Sequence, residues 1–113
     1  MSNRGDKEFL SDIEEAIKRI KTYTRNMSYQ KFLKDIKTQD AVVRNLEIIG
    51  KAVKNISESL KAEHPNIPWN DMDRVRDKVI HFYFGVNYDV VWSIAKEDLP
   101  QVAEQINTVL TFL

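Results

Sequence analysis

Apolar side chains along this chain recur at steps of three and four, the spacing of helices buried on one face. From Asp6 to Arg25 the stripe is Phe9, Leu10, Ile13, Ala16, Ile17, Ile20 and Tyr23. Asn26-Met27-Ser28 interrupts it, and Ser28 can cap a short helix over Tyr29 to Asp35. A long element is expected from Thr38 to about Lys61, where Val42, Leu46, Ile49, Val53, Ile56 and Leu60 form a seam suited to an antiparallel neighbour or a dimer partner. Two prolines in His64-Pro65-Asn66-Ile67-Pro68 end that helix by removing donors and restricting the residues before them. Helical spacing resumes through Met72, Val75, Val79 and Phe82, predicting a helix from Trp69 to about Tyr83 that stops at Gly85 with positive φ. A short helix over Asn87 to Lys96 follows. Asp98-Leu99-Pro100 restarts the chain into a last helix with Val102, Ile106, Val109 and Leu110 inside.

No strand alternation, internal repeat or linker interrupts this pattern. It predicts an all-α, up-and-down bundle of about five helices. At 113 residues the chain fits one domain, 1–113. Gly and Pro number three each, too few for a turn-rich β fold. Nowhere do about 18 apolar residues run together, as a membrane span requires, and the N-terminus MSNRGDKEF has no apolar signal segment. A cytoplasmic protein with no membrane association is expected. The absence of cysteine removes disulfides and thiolate metal sites.

Lys and Arg balance Asp and Glu at 17 each. Binding nucleic acid through many phosphates usually brings a basic excess, because each contact releases counterions. With none in the total, contact with a nucleic acid has to rest on a local site, a groove built by a dimer, or brief contact with a substrate.

Chemistry narrows quickly. The sequence lacks a glycine-rich phosphate loop, a Ser or Cys nucleophile motif and clustered His, Asp or Glu at metal-ligand spacing, so no metal or cofactor is implied. Of the two histidines, His64 lies in the proline connector, where an exposed loop residue is the plain reading. His81 follows Val79-Ile80 and precedes Phe82-Tyr83-Phe84, an apolar setting able to hold either a core histidine or a titratable group in a partly dry cleft. Arg76 and Tyr83 flank it. An imidazole that moves protons, a guanidinium that grips phosphate and a phenol that donates a hydrogen bond suit RNA cleavage by the substrate's own 2′-hydroxyl. At 100° per residue, one unbroken helix places Tyr83 almost over Arg76 but turns His81 about 140° away. Either the helix unwinds before Gly85, or a second copy supplies the missing groups across a two-fold axis.

The run RDKVIHFYFGVNYDVVW, preceded by TQDAVVRNLEIIGKAVKNIS and IPWNDM, resembles the HepT-like toxins of the HEPN superfamily. The likeness extends to FLSDIEEAIKRI at the start and DLPQVAEQI at the end. Arg76, His81 and Tyr83 match the family motif R-x-x-x-x-H-x-Y. This resemblance implies a helical homodimer that cleaves RNA without metal, the toxin of a prokaryotic toxin–antitoxin pair whose partner is an MNT-type nucleotidyltransferase antitoxin. It further implies that Arg76 and His81 are catalytic at the dimer interface, and that Tyr83 receives AMP from the antitoxin. Asp77, Asp40, Arg44, Asn45 and Glu47 match polar positions of the family and are supporting candidates. For the stripe on the long helix, a solvated face with weak ion pairs is the competing reading. Position 82 departs from many relatives in being Phe rather than glycine, which bears on the width of the cleft. A different class of function, a non-catalytic helical adaptor that binds a nucleotidyltransferase, fits the neutral charge and the long seam.

Overall fold

The computed structural model describes residues 4–81 and 85–113, and of Arg76, Ile80 and His81 the backbone alone. The first helix, α1, is Asp6–Thr24; its Leu10, Ile13, Ile17 and Ile20 are buried. Asn26 takes a positive φ of 59° in the turn that follows. Ser28 caps α2, Tyr29–Leu33, by accepting the Lys31 N–H at 3.1 Å. Asp35 then caps α3, Ile36–Lys54, by accepting the Thr38 N–H at 3.0 Å. Those hydrogen bonds from Thr38 hold the Asp35 carboxyl below its ordinary pKa of 3.8, with smaller help from Lys31 and Lys37.

The expected helix to Lys61 stops at Lys54. Asn55 turns its amide back onto the Lys51 carbonyl at 2.9 Å, and Ser57 leaves helical geometry to cap α4, Glu58–Glu63. Ser57 is also claimed from afar: its N–H and hydroxyl donate to Asp6 at 2.8 and 2.6 Å. Side chains that offer the backbone other partners end a helix more readily than the apolar pattern suggests. Ile56 and Leu60 stay buried, so the seam was right and its continuity was not. The Asp6–Ser57 contact also fixes direction. It ties the start of α1 to the far end of α3, so the two helices pack antiparallel.

The stretch expected as one helix from Trp69 to Tyr83 is broken twice. It forms α5, Trp69–Asp73, anchored by the Trp69 indole donating to the His64 carbonyl at 2.9 Å, and α6, Val75–Val79. Their joint lies over Gly50 of α3. A Cβ there would sit 3.4 and 3.5 Å from the carbonyl oxygens of Met72 and Asp73. After Val79 the chain extends into β1, Ile80–His81, paired antiparallel with β2, Gly85–Val86. Tyr83, where the predicted helix ended, lies outside the described residues.

The last third also differs from expectation. Tyr88–Ser93 (α7) passes without a break through a π-helical turn, Ile94–Asp98, into α8, Leu99–Thr111. Leu99 donates to the carbonyl of Ile94, five residues back, which widens the helix just before Pro100. Proline has no N–H and its ring crowds the carbonyl four residues earlier, so a widened turn lets the helix run past it. Lys96 of this turn donates to the Thr24 carbonyl at 2.9 Å, and α8 packs back along α1. Among the described residues, no helix is long and apolar enough to cross a membrane.

Phe32 joins the short α2 to the bundle. Its ring is fully buried, edge-on to Tyr88 at 6.2 Å and tilted against Trp92 at 5.1 Å. Replacing Phe32 with Ala is expected to cost about 3–5 kcal/mol in urea unfolding, the usual loss for a buried aromatic. An unchanged midpoint would mean that α2 is not held by this ring. The Asp35 cap adds a pH signature. Its folded-state pKa is depressed, so its stabilisation is present above about pH 4 and is lost as the pH falls through the folded value. Asp35→Ala should lower the unfolding midpoint at pH 7, with the gap to the parent closing in acid.

Candidate active site at the helix–hairpin joint

Val79 is completely buried beneath the end of α6, and its carbonyl accepts the Asn87 N–H at 2.6 Å. Asn87 also caps α7, its Oδ1 accepting the Val90 N–H at 3.2 Å. One residue thus closes the base of the hairpin and starts the next helix. Ile80 pairs with Val86 and His81 with Gly85, whose φ is +79°. The positive φ expected at Gly85 is therefore present, but it serves a strand pair rather than a helix end. The residues from Val79 to Phe84 are all β-branched or aromatic except His81, the composition that favours extended chain. That run was the signal for a hairpin, outweighed by the helical spacing of Val75, Val79 and Phe82.

Arg76 lies in α6 and His81 in β1, so the motif straddles two elements. The 140° divergence imposed by a single helix does not apply, because the helix ends before His81. The side chains of Arg76 and His81, and all of Tyr83, fall outside the description. Asp77 is exposed on α6. Next to it, Lys78 pairs with Asp71 at 3.2 Å, a contact between half-exposed groups worth little stability.

The four upstream candidates divide. Asp40, Arg44 and Glu47 share an outward stripe of α3, with Asp40 and Arg44 exposed and Glu47 partly covered. Among the described residues no ion pair links them. Asn45 faces inward and is 5% exposed. Its Nδ2 donates to the Ala41 carbonyl at 2.9 Å, while its Oδ1 is buried with no partner among the described residues. Gly50 and Asn87 were not anticipated as positioning residues. Behind α6 runs a cleft of about 360 Å³, floored by Leu46, Ile49, Met72 and Val102 and edged by Asp71 and Lys78. Among the described residues no three His, Cys, Asp or Glu side chains come together as metal ligands.

A small helical bundle whose Arg76 and His81 stand on either side of a helix-to-strand joint, in a sequence reading R-x-x-x-x-H-x-Y, defines a recognisable class of domain. The model of the ribonuclease HepT-like family matches residues 13–109, and the chain belongs to that family, and with it to the HEPN superfamily. It is 52% identical over 99 residues to "Probable ribonuclease HepT" of Thermococcus cleftensis, covering 88% of this chain and 90% of that one. It is 44% identical over 110 residues to "Putative RNase MJ0127" of Methanocaldococcus jannaschii, covering 97% and 91% respectively. A third relative, "Putative RNase TTE0752" of Caldanaerobacter subterraneus, is 39% identical over 101 residues, covering 89% and 87%. No solved structure matches the chain.

Gly85 gives a direct test of the hairpin. Among the described residues a Cβ there meets nothing within 4 Å, so its backbone angle is what penalises a substitution. Gly85→Ala is expected to lose about 1–2 kcal/mol in urea unfolding, and Gly85→Asn less, because asparagine enters the left-handed region more easily. Equal losses for the two would mean that φ is not what selects glycine.

Proposed function

We propose that this protein is a metal-independent endoribonuclease, the toxin of a prokaryotic toxin–antitoxin pair, acting in the cytoplasm as a homodimer. The observation that carries the reading is the α6–β1 joint between Arg76 and His81, in a chain of the HepT-like family whose sequence keeps the whole R-x-x-x-x-H-x-Y motif. The ribonuclease names of its relatives support the same activity. His81 accepts the proton of an RNA 2′-hydroxyl as that oxygen attacks the adjacent phosphorus. Arg76 neutralises charge gathering on the non-bridging oxygens. The bond to the 5′-oxygen then breaks, that oxygen takes up a proton, and a cyclic phosphate and a free 5′-hydroxyl remain. A second copy completes the cleft across a two-fold axis.

Restraint comes from the partner, an MNT-type nucleotidyltransferase antitoxin that transfers AMP from ATP to the Tyr83 oxygen and releases pyrophosphate. The adduct occupies the cleft and repels RNA phosphates. Asp77, Asp40, Arg44, Asn45 and Glu47 act, in this reading, as supporting or interface residues. The competing reading is a non-catalytic adaptor for the nucleotidyltransferase, favoured by the exposed charges of Asp40 and Arg44 on α3, which form no ion pair among the described residues.

RNA cleavage measured in a metal chelator separates the two. The parent is expected to cleave, and His81→Ala and Arg76→Ala to lose at least 100-fold, the usual contribution of a general acid–base group. Co-expression with the nucleotidyltransferase is expected to add AMP to the parent but not to Tyr83→Phe, as read by intact mass. Undiminished cleavage by both alanine variants removes the catalytic assignment, and a folded parent that cleaves nothing leaves the adaptor.

A further inference from the structure

The neutral total conceals a strong segregation of charge. Residues 18–37 contain seven of the 17 Lys and Arg side chains but one of the 17 acids, Asp35. Because α1 and α3 are antiparallel, tied at the opposite end by Asp6 and Ser57, this stretch folds into a single end of the bundle. It comprises the second half of α1, all of α2 and the start of α3. Lys18, Lys21 and Arg25 follow one another at three- and four-residue steps along one side of α1 and its C-cap. Lys31, Lys34 and Lys37 continue across α2 into α3. All six are exposed, and among the described residues none forms an ion pair. Asp35, the lone acid, has its carboxylate committed to the Thr38 N–H.

Aromatic groups lie in the same region. Tyr23 is 38% exposed. Trp92 is partly exposed, with the Tyr29 ring 6.0 Å away and the Lys96 ammonium 5.2 Å from its centroid. Unpaired cations interleaved with aromatic faces are what single-stranded nucleic acid uses, phosphates on the first and bases on the second. This end also packs on α7, the helix that follows the hairpin. Phe32 of α2 packs on Tyr88, the residue after the Asn87 that closes the hairpin.

We infer that the α1–α2–α3 corner is a docking surface for single-stranded RNA, separate from the motif, that holds the substrate backbone and leads it to the hairpin. This rests on the ribonuclease reading for its purpose, though its binding test does not depend on cleavage. A local surface of this kind reconciles an RNA substrate with a chain of no net charge.

The test uses a fluorescein-labelled 2′-O-methyl oligonucleotide, which lacks the attacking hydroxyl and cannot be cut. Its binding is followed across a salt series for the parent, for Lys31→Gln/Lys34→Gln/Lys37→Gln, and for a control of equal charge change, Lys7→Gln/Lys51→Gln/Lys54→Gln, at exposed positions elsewhere. If each lysine meets one phosphate, the first triple variant flattens the log–log salt slope by about 2, at about 0.7 per single-strand contact. The control leaves the slope unchanged. Cleavage then separates this inference from the parent reading. A dinucleotide, whose one phosphate is the one cleaved, should be cut equally by parent and corner variant, while a long RNA should show a raised KM with kcat retained. Equal slopes for all three proteins overturn the inference, as does an equal loss in the control. So does a corner variant that keeps the oligonucleotide but loses the nucleotidyltransferase, which makes the corner a protein surface. Absence of cleavage by the parent refutes the nuclease alone, since the uncleavable probe still reads the corner.

Discussion

In a continuing helix the Val79 carbonyl would accept from the residue four positions on. Here it accepts the N–H of Asn87, eight positions on, at 2.6 Å. That one exchange converts the end of α6 into a hairpin and brings α7 back beside it. It also releases His81 from the helical register of Arg76. A joint site within one chain depends on this release, because a single helix would aim the guanidinium and the imidazole apart. Val79 is held in place by complete burial of its side chain, so the switch point is fixed by the core.

The frame around that point is economical. Two helices of 19 residues, α1 and α3, supply the main interface, and α8 packs along α1. Gly50 of α3 faces the joint of α5 and α6, where a Cβ would just touch the carbonyls of Met72 and Asp73. The joint is thus positioned from below by a glycine and from the side by Asn87. Neither residue bears chemistry of its own, and neither stood out beside Arg76 and His81 in the sequence.

How much could be read beforehand follows from what each signal measures. Apolar spacing reports burial, and it named most of the inward faces of α1, α3 and α8, with Ile56 and Leu60 beyond α3, though Tyr23 of the α1 stripe is exposed. It does not report whether the backbone between buried residues stays helical. The breaks at Asn55–Ser57 and after Val79 arise from side-chain bonds and from β-forming residues, neither of which apolar spacing records. Conversely, a proline at position 100 suggested a break where a π turn allows passage. The motif was legible because it lies in one short segment. The charged corner was not, because its members are spread over 20 residues and cancel in the sum; only the antiparallel return of the chain collects them. The upstream polar group was legible as a block but divides in space, with Asn45 inward and its neighbours outward.

Cancellation in the total has a further physical consequence. Positive charge gathered at one pole and a negative excess spread over the rest give the molecule a permanent dipole with a component along α1. Its isoelectric point, near 6.7, describes only the sum. In an external field such a body feels a torque even where it feels no net force, so it turns its lysine-rich pole toward a polyanion before contact. Added salt shortens the distance over which that alignment operates, to about 8 Å at physiological ionic strength. Orientation before encounter is therefore a property of this neutral chain that no average over its composition reveals.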